Sequence, residues 1–266
     1  MPLRTPVPPS FSSPNPTTGG PQGNEQRPRN WDERLNIIQG DFNPLSEYFR
    51  TLRTRILHPA SGPPPRSLLI TSTTPAEGKS FVCANLGISI AQGVEQYALM
   101  VDCDLRRPTL GQLFGLPCDH GLSDHLARGV DLASLIQKTE VRKLSIIPAG
   151  HPPDNPSELL DSDRMTGLVD ELVARYHDRL ILLDSPPLQA AAETAILAQQ
   201  VDGVVLVVRW GAGRREYIKT LIDIVGKEKI VGVVFNAVRT TAIDRTLFGD
   251  TDYQSNSYYY KKNKPS

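Results

Sequence analysis

No stretch of about 18 uncharged apolar residues occurs in the 266-residue chain, so no membrane span is expected. The N-terminus also lacks the apolar core of a secretory leader. Any membrane role therefore has to pass through a partner. Cysteine is scarce. Cys83, Cys103 and Cys118 have no paired metal spacing, and their odd number supports no disulfide framework. They read as small hydrophobes of a reducing compartment. His58, His120, His125, His151 and His177 are scattered and suggest no ligand set. Surplus charge is missing too: 29 basic side chains oppose 29 acidic ones. A nucleic-acid partner would ordinarily need a basic excess, so that class is disfavoured and none is expected.

What is present changes character along the chain. Residues 1–43 begin with "MPLRTPVPPSFSSPNPTTGGPQGNEQRPRN", rich in Pro, Gly, Ser and Thr. Such a segment buries too little apolar surface to offset its ordering entropy, so a disordered arm is expected. "PLSEYFRTLRTRIL" follows, with Leu45, Phe49, Leu52 and Ile56 at helical spacing. We expect a helix within 44–60, capped by Ser46 and ended by Pro59 and "SGPPP". Glu47, Arg50 and Arg53 stand three apart on its surface, the pattern of a solvated charged face.

From Ser67 to residue 249, short apolar runs alternate with amphipathic segments. The runs are "SLLIT", "YALMV", "LSIIP", "RLILL", "GVVLVV" and "IVGVVF". Helical patterns fall near 79–92, 157–176, 190–199 and 214–227, with shorter ones near 121–127 and 131–137. Continuous Val/Ile/Leu strands separated by helices predict an α/β fold whose mostly parallel sheet carries helices on both faces. Residues 250–266, "DTDYQSNSYYYKKNKPS", form a polar tail holding Tyr253, Tyr258, Tyr259 and Tyr260.

The chemistry sits in "ITSTTPAEGKSFVCANLG", residues 70–87. An apolar strand leads into a helix through Gly78-Lys79-Ser80, the context of a phosphate-binding P-loop. The glycine that usually opens such a loop is absent; Thr73 stands there. Thr74, Pro75, Ala76, Glu77, Gly78, Lys79, Ser80 and Phe81 bound the candidate phosphate cradle, and all but Pro75 can turn a backbone N–H toward it. Lys79 would serve the outer phosphates and Ser80 a Mg²⁺ ion. Asp102 and Asp104 end the second apolar run, and Asp184 ends "RLILLD". In parallel sheets ligands lie beyond the carboxyl ends of the strands, so these carboxylates should converge on Lys79 and Ser80. Unpaired, they would repel. Mg²⁺, which shares carboxylates with phosphates and water, removes that conflict. Asn236 ends the last run, where its amide could meet an adenine edge or close an Asx-type turn.

Together these stretches resemble the bacterial tyrosine kinases, the autokinases of polysaccharide export. Their Walker A, DxDxR and DxPP motifs correspond to Lys79-Ser80, Asp102-Cys103-Asp104-Leu105-Arg106 and Asp184-Ser185-Pro186-Pro187. Loops of that family typically lack the first glycine. "LSIIPAGHPPDNPSELL" at 144–160 resembles another family stretch. Glu47, Arg50 and Arg53 match its ExxRxxR oligomerisation motif, and the tail matches its tyrosine cluster. Ala76 departs from the glycine many members have. The chain also lacks the membrane copolymerase to which many members are fused, and so resembles the split arrangement.

The resemblance implies ATP and Mg²⁺ as cofactors and Lys79, Asp102 and Asp104 as the catalytic set. Ser80, Asp102, Asp104 and Asp184 become the metal set, and Tyr253, Tyr258, Tyr259 and Tyr260 the acceptors, phosphorylated in trans within a homo-oligomer. Implied partners are a membrane polysaccharide copolymerase as activator and a phosphotyrosine phosphatase, and the implied place is the cytoplasmic face of the membrane. Two other readings stand beside this one: an ATPase switch of the partition and septum-positioning class, and a non-catalytic scaffold. The partition class carries an extra lysine five residues before the Gly-Lys lysine; here that position is Thr74.

Overall fold

Residues 31–35, 44–190 and 193–238 are described by the computed structural model of the chain. Seven strands form one sheet: β1 (Ser67–Ser72), β2 (Tyr97–Asp102), β3 (Gln137–Lys138), β4 (Leu144–Ile147), β5 (Arg179–Asp184), β6 (Gly203–Arg209) and β7 (Ile230–Asn236). Their order is β3-β4-β2-β5-β1-β6-β7. All neighbours run parallel except β3, which pairs antiparallel with β4. The six apolar runs thus became the six parallel strands. β3, only two residues long, carries too short a pattern to be read beforehand.

Strand residues alternate between the two faces. Leu68 and Ile70 pack on one side and Leu69 on the other. The first side is covered by α1 (Pro44–Leu57), α2 (Lys79–Ala91) and α3 (Leu110–Leu113). The second is covered by α4 (Leu122–Arg128), α5 (Leu132–Leu135), α6 (Pro156–Leu160), α7 (Asp163–Arg175), α8 (Glu193–Gln200) and α9 (Arg215–Val225). Burial on both sides is why the central strands needed no polar alternation. Cys83 and Cys103 are buried among these side chains, as expected of small hydrophobes.

Several boundaries differ from expectation. The helix expected over 157–176 is two helices. Ser162 interrupts it, and its hydroxyl accepts a hydrogen bond from the Met165 N–H at 3.3 Å, capping α7. The piece near 131–137 stops at Leu135 and yields to β3. Ahead of α8 the chain takes a 3-10 turn over Leu188–Ala190. Ser46 lies inside the first turn of α1 rather than capping it, because the helix already begins at Pro44. Within the segment expected to be a disordered arm, residues 31–35 are described. Trp31 and Leu35 are buried, and Trp31 meets Phe114 edge-on at 4.7 Å between ring centroids. An indole gains enough from burial to anchor a polar segment.

The α1 helix joins the core through Phe49 and Ile56, and Phe49 meets Phe81 of α2 edge-on at 6.1 Å. Arg53 donates to the Ser89 carbonyl at 2.6 Å. That carbonyl is in the last turn of α2, where no further helical N–H reaches it, so Arg53 caps α2 from outside. Among the described residues no helix is long and apolar enough to cross a membrane.

Candidate nucleotide site

β1, β2 and β5 lie side by side, so the loops after them open at one end of the sheet. Asp102 and Asp184 stand opposite each other in register, and Ile70 of β1 stands opposite Asp184. Here the chain reverses direction across the sheet, with β2 and β6 on opposite sides of the β1–β5 pair. Crevices of this kind hold ligands in open α/β sheets.

The loop from β1 to α2 is braced from within. Glu77 is buried, and one of its oxygens accepts from the Thr73 hydroxyl at 2.9 Å and from the Thr74 N–H at 2.8 Å. Thr73 therefore does by side chain what an opening glycine would have to leave to the backbone. Ala76 sits at φ +63°, in the left-handed region, where its methyl group is strained. Its carbonyl accepts from Arg209 at 3.3 Å. Gly78 also lies there, at φ +93°, directly before α2. A Cβ on Gly78 would fall 2.0 Å from the Asn236 amide nitrogen. That amide donates to the Glu77 carbonyl at 2.9 Å, while its oxygen accepts from the Ala237 N–H at 2.8 Å. The bond to the next residue is not the i+2 bond of an Asx turn, and the second amide hydrogen leaves the adenine reading open. Both ends of the amide serve the protein, and it braces the phosphate loop.

Lys79 opens α2. Its ammonium donates to Asp104 at 2.9 Å, and Ser80 stands 3.5 Å away. Burial alone would lower the Lys79 pKa, but the Asp184 and Asp104 charges outweigh it and the net shift is upward. The site keeps a firmly protonated lysine. Asp102 is spent on backbone: one oxygen accepts from Asp104 N–H at 3.2 Å, the other from Thr109 and Leu110 N–H at 3.1 and 2.9 Å. Even so, burial first and the nearby Asp184 second push its carboxyl up to about 8. Asp184 has less help. Both of its oxygens are buried without a hydrogen-bond partner. Burial raises it to about 6 against the opposing pull of Lys79. Ser80 tempers its charge but makes no well-formed hydrogen bond to either oxygen.

A buried carboxylate without a hydrogen-bond partner, beside a half-buried lysine, offers its oxygens to a ligand. Among the described residues no group of three or more His, Cys, Asp or Glu side chains encloses an ion unaided. Mg²⁺ ordinarily keeps water and shares phosphate oxygens rather than occupying an all-protein cage, so the donors to examine are those beside the loop. The donors fit: the Ser80 hydroxyl and the Asp184 carboxylate, with Asp102 and Asp104 behind them, beside a loop whose Gly78 leaves no room for a side chain.

The structure thus brings Thr74 to Phe81, Asp102, Asp104, Asp184 and Asn236 to one end of the sheet. Glu47, Arg50 and Arg53 lie elsewhere, on α1. Glu47 and Arg50 pair with each other at 2.6 Å on the exposed side, while Arg53 turns inward. Tyr253, Tyr258, Tyr259 and Tyr260 lie outside the described residues. Two participants escaped the sequence reading. Arg106 donates to Glu193 at 3.3 Å and to Ser157 at 2.7 Å, and the Ser157 hydroxyl donates to Glu193 at 3.3 Å. Ser157 lay in the family-like "DNPSELL" stretch. Glu193 gave no signal, since nothing in one sequence marks a single acid nine positions after Asp184.

No model of a protein family matches the sequence. Individual relatives do. The tyrosine-protein kinase Wzc of Salmonella typhimurium is 32% identical over 215 residues, 79% of this chain but only 30% of the relative. The chain therefore spans under a third of that protein's length. Coverage is fuller against the putative tyrosine-protein kinase CapB of Staphylococcus aureus, 32% identical over 81% of this chain and 89% of the relative. Bacillus subtilis YwqD, also a tyrosine-protein kinase, is 34% identical over 72% and 80% respectively. Among solved structures, the kinase domain of Escherichia coli Etk aligns at a TM-score of 0.71 and 30% identity, covering 82% of this chain and 86% of that one. The chimerical protein CapA2B2 aligns at 0.70 and 32%, covering 78% and 91%. A septum-site-determining protein MinD from Pyrococcus horikoshii, at 0.53 and 24%, shares the P-loop fold alone. Relatives at least 30% identical and matched over most of their own length show that the chain belongs to the bacterial tyrosine kinase family.

Proposed function

We propose that the chain is an ATP-dependent protein-tyrosine autokinase that phosphorylates its own tail cluster in trans and so regulates polysaccharide polymerisation or export. The observation that carries this reading is the Lys79–Asp104 pair beside the unpartnered Asp184, at the mouth of a glycine-tight loop. Such a site supplies positioned charge, and phosphoryl transfer depends on positioning and charge neutralisation far more than on covalent chemistry.

In this reading Lys79 leaves Asp104 and turns to the outer phosphates of ATP. Ser80 and Asp184 hold Mg²⁺, with Asp102 and Asp104 supporting it; bound there, the ion neutralises phosphate charge. Thr74 to Phe81 contribute the cradle, and Asn236 keeps that cradle in shape, with one amide hydrogen left to meet an adenine edge. A tyrosine hydroxyl has a pKa of about 10, so its proton must leave as it attacks. Asp104, once Lys79 releases it, is the carboxylate on hand to take it, because both oxygens of the buried Asp102 are held by backbone N–H groups. α1 presents Glu47 and Arg50 to a second copy, which lets a tail from one subunit enter the site of another. The activator is a membrane polysaccharide copolymerase, a phosphotyrosine phosphatase reverses the modification, and the complex works at the inner face of the membrane.

Incubation with Mg-ATP, read by both phosphotyrosine and released phosphate, tests this. Phosphotyrosine should accumulate and should vanish in Lys79→Met, whose lost cation costs on the order of 10²-fold or more in rate. Phosphate release without phosphotyrosine would mean an ATPase switch. Neither signal in the presence of the activator would mean a scaffold.

A further inference from the structure

The loop that carries Asp102 and Asp104 is held at two places. Its inner anchors are the carboxylates themselves. Asp102 accepts from the Thr109 and Leu110 N–H groups, and Asp104 accepts from the Arg107 N–H at 3.1 Å and from Lys79. The outer anchor is the Arg106–Ser157–Glu193 triad. It ties this loop to the second residue of α6 and to the first turn of α8.

These anchors differ in one respect that matters for the reaction. In the proposed kinase the inner carboxylates face Mg²⁺, the phosphates and the incoming hydroxyl, and Lys79 must release Asp104 to reach a phosphate. The inner anchors therefore weaken when the site is loaded. The outer triad touches none of these groups, so loading leaves it intact. Glu193 is well placed for that duty. Its side chain is only 4% exposed, whereas Arg106 is 46% exposed. The acid is the fixed partner, and the arginine is the part that would otherwise move. Next to Glu193, the Thr194 hydroxyl donates to the Pro186 carbonyl at 3.0 Å, and the Thr71 hydroxyl donates to the same carbonyl at 3.2 Å. The start of α8 is thereby tied to the segment just after Asp184 and to β1. Glu193 holds the Asp104 loop to the same frame that holds Asp184.

We infer that Glu193 is a positioning residue: acting through Arg106 and Ser157, it fixes Asp104 relative to Lys79 and Asp184 once the site is loaded. This inference rests on the kinase reading for its rate effect, but not for its structural effect. Partners of this kind, acting from behind the reacting groups, typically change activity by about 10–100-fold when removed.

The test compares Glu193→Gln, Arg106→Gln and the double variant with the full chain. Turnover, KM for ATP, affinity for a fluorescent ATP analogue and backbone amide exchange over residues 104–110 are measured for each. Each single variant should lower kcat about tenfold. KM and analogue affinity should stay within about twofold, because Glu77 and Asn236 brace the phosphate loop separately. Exchange over 104–110 should quicken in the loaded protein more than in the free one. The double variant should be no worse than either single, since the two side chains act as one unit. Unchanged kcat and exchange in Glu193→Gln would overturn the inference. So would losses that multiply in the double variant, or a fall in kcat matched by an equal fall in analogue affinity. If the wild-type chain forms no phosphotyrosine, the kinase reading fails, and amide exchange alone still decides whether the triad fixes the loop.

Discussion

Asp184→Asn should stabilise the ligand-free protein while abolishing its activity. The native carboxylate is buried, both oxygens lack partners, and its pKa rises from an ordinary 3.8 to about 6. Each pKa unit corresponds to about 1.36 kcal/mol, so keeping this group ionised inside the fold costs roughly 3 kcal/mol at pH 8. An amide is neutral but brings two N–H donors, and one left unsatisfied returns about 1–3 kcal/mol. Relief of Asp102, which Asp184 also pushes upward, adds to the gain. The net expectation is about 1–2 kcal/mol, or roughly 3–6 °C in Tm for a domain of this size. Its sign with pH is fixed. A carboxyl whose folded pKa exceeds its unfolded one binds more protons in the native state between those values. Wild-type stability therefore falls as pH rises from about 4 to 6, a decline the variant lacks. The advantage of Asn should be present above pH 6 and gone below pH 4. Calorimetric scans in EDTA without nucleotide, at pH 4 and pH 8, measure it. A variant less stable than wild type at pH 8, or a difference independent of pH, would refute the reasoning and mean that Lys79 fully compensates Asp184.

Gly78→Ala combines a left-handed backbone with a methyl group 2.0 Å from the Asn236 amide. It should cost on the order of 1–3 kcal/mol and weaken nucleotide binding, and adding Asn236→Gly should restore part of the stability, read by thermal melts. On α1 the motif should divide. Arg53→Ala should lower stability by about 0.5–1.5 kcal/mol, since it uncaps α2. Glu47→Ala with Arg50→Ala should leave the melting temperature nearly unchanged, because exposed pairs contribute little, but should reduce oligomeric mass in light scattering. For the tail, phosphates on Tyr258, Tyr259 and Tyr260 would add roughly −4.5 to −6 of charge, against Lys261, Lys262 and Lys264. Mg-ATP should therefore disperse the oligomer, and Phe at Tyr253 and at those three tyrosines should prevent both dispersal and most phosphotyrosine.

The strands were legible because a parallel sheet buried on both sides writes itself as unbroken Val/Ile/Leu runs. The loop and its carboxylates were legible because each ends such a run. What escaped was set by tertiary partners. Ser162 ends one helix and starts another, a choice made by the N–H it caps. Trp31 left an otherwise polar arm because Phe114 offered a ring to pack on. Asn236 braces Glu77 and closes on Gly78, a role that its place at the end of a strand did not announce. Arg53 matched an oligomerisation motif, yet its guanidinium closes the end of α2 in its own chain.

The same contrast explains the site's design. Residues that meet ligand recur in compact motifs because a loop must deliver several groups to one small volume. Residues that hold those groups need only reach them, and the fold supplies reach from anywhere. Lys79 and Asp104 lie 25 positions apart but Arg106 and Glu193 lie 87 apart, and both pairs meet. In the proposed kinase the first pair would part for ATP to be used and the second would not. A kinase that reserved its lysine on a carboxylate until phosphate arrived would need a separate tether for that carboxylate's loop, and the buried Glu193, remote in sequence, is the group this fold offers for it.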